Sequence, residues 1–76
     1  MDAVIQELDL RNVLGGNVER LREALGMTQE ELAEKVGLNR VSLNRIERGH
    51  ATPKGHIIYR LADALGVSAD SLRQIS

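Results

Sequence analysis

Residues 28–49 read TQEELAEKVGLNRVSLNRIERG, and this pattern predicts two short helices joined by a tight turn. Thr28 and Glu31 have the spacing of a capping box, in which the hydroxyl accepts from the Glu31 amide and the carboxylate accepts from the Thr28 amide. Apolar residues starting at Leu32 then recur at helical spacing. Gly37 is the residue type that ends a helix in the left-handed conformation at low steric cost. We therefore predict a helix that begins at Thr28 and ends at Gly37.

A second helix follows after a very short turn, because Asn39 is a favoured N-cap residue. Leu43 and Ile46 give this helix an apolar side at i,i+3 spacing. Ala33, in the preceding helix, is small enough to let two helices joined by so short a turn cross closely. The polar side of the second helix carries Arg40, Asn44 and Arg45.

This pair of helices resembles the helix-turn-helix unit of the phage repressor and Cro type, often called the XRE family. The matching positions are Thr28-Gln29, Leu32-Ala33, Gly37, Leu43, Ile46 and the exit Glu47-Arg48-Gly49. The likeness extends over about residues 18–72. It implies an all-α fold, a compact five-helix bundle of the phage repressor DNA-binding domain type. The helix-turn-helix unit would cover 28–48, within a domain at 10–76 that follows a short N-terminal extension at 1–9.

DNA recognition by such a unit places its second helix, about residues 39–48, in the major groove, with the first helix across the backbone. Arginine can bond guanine O6 and N7 together, asparagine can do the same with adenine N6 and N7, and valine can touch a thymine methyl. The predicted base contacts are Arg40, Val41, Asn44 and Arg45. For each arginine the alternative is a phosphate contact or simple solvation.

Phosphate contacts are predicted at Gln29, Asn39, Ser42, Arg48 and Lys54. Gln29 is first in its helix, so its side-chain amide and the helix N-terminus should face a phosphate. For Asn39 and Ser42 the alternative is capping alone. The resemblance also implies a partly buried ion pair between Arg22 and Glu47 that connects two helices, with a phosphate contact as the alternative for Arg22.

An earlier helix is predicted from about Leu10 to Gly26, because its apolar residues recur at helical spacing: Leu14, Val18, Leu21 and Leu25. Gly15-Gly16 lies inside it and lowers helix propensity, so the helix could instead begin at Asn17 as a cap. Residues 1–9 fit either a frayed helix, with Val4, Ile5 and Leu8 on one side, or a strand in which Leu8 and Leu10 alternate.

A fourth helix has an apolar stripe at Ile58, Leu61 and Leu65 and ends at Gly66. Its start departs from the family pattern, because Lys54 and Gly55 stand where the family usually has a capping serine and an apolar residue. We predict that capping shifts to Thr52, with Pro53 as the first helical residue. Ser68 is expected to cap a last helix that runs through Ile75 and buries Leu72.

The whole chain has the size of one small domain, at 76 residues. It contains no cysteine, so neither a disulfide nor a thiolate metal site is expected, which suits a reducing compartment. No apolar run approaches the roughly 18 residues of a membrane span, and the acidic start does not resemble a signal peptide. We expect a soluble, cytoplasmic protein.

Charge is distributed unevenly along a chain whose net charge is −1. Residues 1–36 hold eight acidic and four basic side chains, whereas residues 37–60 hold five basic and one acidic. The net charge argues against a nucleic-acid binder, but the basic segment coincides with the predicted recognition helix and the loop after it. The alternative is an ordinary solvated helix face.

Catalysis and metal binding find little support in the sequence. His50 and His56 are the only imidazoles, and two ligands do not complete a structural zinc shell. No nucleophile, base and orienting group can be assembled from these residues in a cavity that so short a chain would enclose. We therefore expect a non-enzyme without cofactor or metal.

Three functions fit the resemblance. The first is a sequence-specific transcriptional regulator, a repressor that binds a palindromic operator as a homodimer. The second is the DNA-binding antitoxin of a toxin pair, and the third is a protein-interaction module on the same fold. Outward-facing arginines argue against the third, because protein interfaces are depleted in charge at their core. Double-stranded DNA is the expected partner, with a toxin or an anti-repressor as a further possible one.

Dimerisation requires a contact that spaces two recognition helices about 34 Å apart. The first candidate is the apolar surface around the last helix, formed by Val67, Leu72 and Ile75. The second is the N-terminal region, residues 1–10. Ile57 and Tyr59 are the third.

Overall fold

Helices and short turns make up the described part of the chain, which in this computed structural model comprises residues 7–74, with side chains from residue 10 onward. Within that range there are five α-helices and no strand, so the predicted all-α fold is confirmed. The helices are α1 Glu7–Ala24, α2 Gln29–Val36, α3 Arg40–Glu47, α4 Gly55–Leu65 and α5 Ala69–Leu72. None of them is both long and apolar enough to span a lipid bilayer.

Local capping sets several of these boundaries. The predicted N-caps Thr28, Asn39 and Ser68 each accept a hydrogen bond from the amide three residues on, at 3.0, 2.8 and 3.2 Å. The capping box is complete, because the Glu31 carboxylate accepts from the Thr28 amide at 2.8 Å. Gly37 ends α2 in the left-handed conformation, with φ at 79°. These predictions are therefore confirmed.

One apolar core joins all five helices, and each helix turns its apolar stripe toward it. The core residues are Leu14, Val18, Leu32, Ala33, Val36, Leu43, Ile57, Ile58, Leu61, Ala62, Leu65 and Leu72. Ala33 is 2% exposed, as expected for a small residue where α2 and α3 cross. Leu25 departs from its predicted inward position, because α1 ends at Ala24 and the Leu25 side chain is 55% exposed.

The first helix spans Glu7–Ala24 instead of the predicted Leu10 to Gly26, and it runs without a break through Gly15-Gly16. The alternative start at Asn17 is wrong, because Asn17 lies inside α1 and its buried side-chain amide donates to the carbonyls of Leu72 and Gln74, both at 2.8 Å. A Cβ at Gly15 would overlap the carbonyl oxygen of Ile46, so this glycine is needed where α1 crosses the end of α3.

Two predictions about the C-terminal half are wrong. The N-cap of α4 is Lys54 rather than Thr52, because the helix begins at Gly55 and Lys54 has extended backbone; its side chain makes no capping hydrogen bond. The last helix ends at Leu72 rather than continuing through Ile75, which lies outside the described residues. Leu72 is buried as predicted, at 0% exposure, so it belongs to the core and cannot also serve as a dimer contact.

Candidate nucleic-acid interface

The outward side of α3 presents the residues predicted to contact bases. Arg40 and Val41 occupy the first turn and are exposed, and Asn44 and Arg45 follow one turn later, half-buried and exposed respectively. Val41 is 61% exposed, so its methyl groups face outward. The four side chains therefore form one surface, because residues at i and i+4 lie on the same side of a helix. We call this surface the α3 face.

The Asn39 cap sets the start of this face. Its side-chain oxygen accepts from the Ser42 amide at 2.8 Å, so capping accounts for the Asn39 oxygen and for the Ser42 backbone amide. At the other end of the helix the guanidinium of Arg45 donates to the His50 carbonyl at 3.3 Å. This bond is exposed to solvent and leaves the other donors of Arg45 available.

The C-terminal end of α3 is held by a buried group of polar side chains, which we call the Glu47 cluster. Arg22 donates to the Glu47 carboxylate through Nε at 2.8 Å and through Nη2 at 3.1 Å. Its Nη1 donates to the Met27 carbonyl at 2.8 Å. Gln29 donates from Nε2 to Glu47 Oε1, also at 2.8 Å. The cluster therefore joins the end of α1, the start of α2 and the end of α3.

The charges of Arg22 and Glu47 are buried together and compensate each other through hydrogen bonds. Arg22 and Glu47 are 8% and 6% exposed. The hydrogen bond with Glu47 raises the pKa of the Arg22 guanidinium above its ordinary value, although desolvation opposes this. Arg22 therefore remains charged inside the domain, where it links helices rather than facing the surface.

Gln29 differs from the expectation that its side chain reaches outward. Its amide points into the Glu47 cluster, a role that sequence reasoning missed because it depends on a residue 18 positions away. The helix start nevertheless remains open. The capping box engages the amides of Thr28 and Glu31, and those of Gln29 and Glu30 have no partner within the described residues. Free amides and the helix dipole together favour an anion at this point.

The exposed surface of residues 37–60 carries more positive charge than their composition indicates. Glu47 is the one acidic residue in 37–60, and its side chain is 1% exposed and paired with Arg22. The basic residues of the segment are all exposed: Arg40, Arg45, Arg48, Lys54 and Arg60. The surface of α3 and of the loop that follows it therefore carries positive charge with no acidic side chain among it.

Two predicted phosphate contacts lie beyond the α3 face. Arg48 is the C-cap residue of α3, and Lys54 is the N-cap residue of α4. Gly49 stands between the two, with φ at 77°, a conformation that favours glycine. It also allows close packing, because a Cβ there would overlap the side-chain oxygen of Asn12.

The described residues offer no candidate metal site. Residues 7–74 bring together no group of three histidine, aspartate or glutamate side chains that could hold a metal ion. His50 and His56 are both exposed, on opposite sides of Pro53 in sequence.

Comparison with known proteins places this geometry in a family. A model described as helix-turn-helix matches residues 18–72. An uncharacterised HTH-type transcriptional regulator, y4dJ of Sinorhizobium fredii, is 43% identical over 61 residues, which cover 80% of this chain and 79% of that protein.

Two solved structures share the fold. The hypothetical transcription factor NHTF from Neisseria superposes with a TM-score of 0.83 at 38% identity, covering 92% of this chain and 80% of its own. The P22 c2 repressor, crystallised with a synthetic operator, superposes with a TM-score of 0.79 at 28% identity, covering 83% of this chain and 96% of its own. The chain therefore belongs to the helix-turn-helix family of the phage repressor and Cro type, among transcriptional regulators.

Proposed function

We propose that this chain is a sequence-specific double-stranded DNA-binding regulator, a repressor that inserts α3 into the major groove of a palindromic operator as a homodimer. The observation that carries the proposal is the α3 face. It combines two guanidiniums, one amide and one exposed valine on a capped helix whose other side is buried in the core. Such a face matches the donors, acceptors and methyl groups of base edges.

Base reading is assigned to the four residues of the α3 face. Arg40 and Arg45 are suited to guanine, where one guanidinium bonds O6 and N7 together. Asn44 is suited to adenine in the same way, and Val41 to a thymine methyl. Val41 is 61% exposed, so its methyl groups are accessible to such a contact.

Contacts with the DNA backbone are assigned to residues at the edges of the helix-turn-helix unit. The free amides at the start of α2 can bind one phosphate, and Arg48 and Lys54 can bind others. Asn39 and Ser42 keep a supporting part, because Asn39 still has its side-chain NH2 and Ser42 its hydroxyl. The Glu47 cluster holds α2 and α3 at a fixed angle, so the phosphate and base contacts are arranged before DNA binds.

Repression and dimerisation are inferred from relatives and from size. The P22 c2 repressor, with the same fold, was crystallised with operator DNA. One short helix reads only a few base pairs, so a second copy is needed for useful specificity. Non-enzymatic action belongs to the same proposal, because occupying an operator requires no chemical step. No contact among the described residues favours the antitoxin alternative over the repressor.

Selection of bound sites from a random pool of duplex DNA tests the proposal directly. We expect an enriched sequence with two inverted half-sites whose centres are one helical turn apart, about 34 Å. Recovery of unrelated sequences would reject sequence-specific binding. Recovery of a single half-site would retain sequence reading and reject the dimer.

Substitution of Arg40 then tests its individual role. We expect Arg40→Ala to weaken binding to the selected site by about 1 to 3 kcal/mol and to relax the preference at one base pair. Arg60→Ala is the matched control, because it removes an exposed charge on α4, outside the α3 face. Equal losses on selected and random DNA would make Arg40 a phosphate contact.

A further inference from the structure

An open groove of about 300 Å³ forms where α1, the loop after α3, α4 and the end of α5 meet. Its described lining residues, none of which belongs to the α3 face, are Leu10, Arg11, Leu14, Thr52, Ile58 and Arg73. Leu14 and Ile58 are buried core residues, and Leu10 is 50% exposed. Apolar surface gathered in a concave site favours an occupant with an apolar part.

Two guanidiniums line this groove, and one of them has an unpaired donor. The Nε of Arg11 is buried and has no hydrogen-bond partner among the described residues. A buried donor without an acceptor is costly, because it has lost water without gaining another bond. Arg73, the C-cap residue of α5, supplies the second cation. The described lining residues include no acidic side chain, so the groove has positive charge and a donor that call for an anionic acceptor.

The Glu47 cluster shows what satisfies a buried guanidinium in this chain. Arg22 donates to the Glu47 carboxylate through Nε at 2.8 Å and through Nη2 at 3.1 Å, so one carboxylate engages two nitrogens together. Pairs of this geometry are stronger than hydrogen bonds between neutral groups, and they select a planar acceptor. Arg11 has the same fork of donors, and its Nε is the atom without an acceptor. A carboxylate is therefore the group that fits it.

We propose that this groove binds a small apolar carboxylate, a molecule with one aromatic ring or one short alkyl chain and a single carboxylate group. The carboxylate accepts from the Nε and a terminal nitrogen of Arg11, and Arg73 adds a second positive charge. The ring or chain lies against Leu14 and Ile58, with Leu10 beside it. This site goes beyond the proposed DNA binding and does not depend on it, because the groove and the α3 face share no residue.

The size of the groove favours a small molecule over a protein partner. Its volume lies at the lower end of the range of roughly 300 to 1,000 Å³ that small-molecule sites occupy. A stable protein interface buries about 800 Å² on each partner, contributed by roughly 20 to 30 residues, which is far more than this groove offers. Shielding from water beside the apolar side chains also strengthens the attraction between a bound carboxylate and the guanidiniums.

Two matched pairs of probes test the proposal on the full chain. Hydrocinnamate and octanoate carry a carboxylate on an aromatic and an alkyl skeleton, and hydrocinnamamide and octanamide are their neutral counterparts. We expect each carboxylate to bind with a dissociation constant of about 1 mM or less, and at least about tenfold more tightly than its amide. Titrations followed by NMR of the N–H groups give these affinities. The Nε–H resonance of Arg11 should shift more than that of any other arginine.

Arg11→Lys isolates the contribution of the guanidinium. The lysine keeps the positive charge but has no planar fork of donors, so the affinity for hydrocinnamate should fall about tenfold. Arg60→Lys is the matched control, because Arg60 is exposed on α4 outside the groove, and it should bind hydrocinnamate as the wild type does. Leu10→Ser removes an apolar contact at a half-exposed position outside the core. It should weaken both carboxylates at least about threefold.

Several results would overturn the proposal. Equal affinities for the carboxylates and the amides would mean that the two guanidiniums do not select a carboxylate. Equal affinities of the wild type and Arg11→Lys would assign the binding to nonspecific charge pairing. Absence of saturable binding by both carboxylates up to about 10 mM would reject the site outright. Nuclear Overhauser effects between the ring protons of hydrocinnamate and the methyl groups of Leu14 and Ile58 are expected, and contacts only with other residues would place the ligand elsewhere.

Discussion

Gly15 and Gly16 are adjacent in the sequence but have opposite surroundings. A Cβ at Gly15 would overlap the Ile46 carbonyl oxygen and lie 2.8 Å from that of Glu47, whereas a Cβ at Gly16 would meet nothing within 4 Å. We expect Gly15→Ala to destabilise the fold by about 1 to 3 kcal/mol through overpacking. Gly16→Ala should stabilise it by about 0.5 to 1 kcal/mol through helix propensity. Urea unfolding of both variants measures the contrast, and shifts of the same sign would contradict the close crossing of α1 and α3.

Glu47 offers a second test at the scale of one residue. Glu47→Ala leaves the Arg22 guanidinium buried without its carboxylate partner and removes the acceptor of Gln29. We expect a loss of about 3 to 5 kcal/mol in the free energy of unfolding, because removing one member of a buried pair leaves an uncompensated charge.

The matched control for this test is Glu34→Ala, which removes an exposed carboxylate from α2 and should change stability by less than about 0.5 kcal/mol. Thermal or urea unfolding compares the two variants. A loss below about 1 kcal/mol for Glu47→Ala would mean that solvent screens the pair, as it does for surface ion pairs.

Residues differ in how far the sequence reveals their roles. Thr28 and Asn39 could be read correctly because a cap acts over three residues, all of them visible in one short window. Gly15, Asn17 and Gln29 could not, because each acts on a residue in another helix. The sequence records only that a glycine, an asparagine or a glutamine is present.

Helix boundaries could likewise be predicted only where local sequence determines them. The ends of α2 and α4 followed from glycines that adopt the left-handed conformation. The start of α4 did not follow, because Thr52 and Pro53 satisfy the local rule for a cap and a first helical residue equally well. The tertiary structure decides instead, since Pro53 is buried and Lys54 has extended backbone.

Lys54 offers a test at the scale of this element, because α4 has no side-chain cap. Lys54→Ser supplies a hydroxyl at a position with extended backbone, where it can accept from the first turn. We expect a gain of about 0.5 to 2 kcal/mol in the free energy of unfolding. The same change removes a cation beside the proposed DNA surface. Affinity for DNA should therefore fall by a similar factor on all sequences. The slope of the logarithm of the binding constant against the logarithm of the salt concentration should fall in magnitude by about 1.

Lys54→Ala separates the two effects, because it removes the charge without adding a cap. We expect it to weaken DNA binding as much as Lys54→Ser does and to give no stability gain. Unfolding and DNA titrations at several salt concentrations measure both properties. A loss confined to one operator sequence would contradict the assignment of Lys54 to a phosphate.

The dimensions of the domain constrain its assembly on DNA. The structure measures 39 × 22 × 21 Å, so two copies whose recognition helices lie about 34 Å apart must lie close together. Of the three candidate dimer surfaces, the one around the last helix offers less apolar area than predicted, because Leu72 is buried in the core and Val67 is half-buried against it. Ile57 is also buried, at 8% exposure, which leaves Tyr59 from the third surface.

Tyr59 on α4 is our candidate for the proposed dimer contact among the described residues. Among the large apolar side chains described as exposed, Val41 belongs to the α3 face, and Leu10 lines an apolar groove together with Leu14 and Ile58. Tyr59, at 70% exposure, and Leu25 have no such role, and tyrosine is the type that protein interfaces favour.

We expect Tyr59→Asp to leave a folded monomer that binds a single half-site with unchanged sequence preference. Its affinity for the palindrome should fall at least tenfold, because the second copy no longer adds its contacts. Leu25→Asp introduces the same charge at a comparably exposed site and should bind the palindrome as the wild type does. Light scattering of each protein with and without operator DNA gives the number of copies bound. If Tyr59→Asp still binds the palindrome as a dimer with wild-type affinity, α4 is not the interface and the contact lies at one end of the chain.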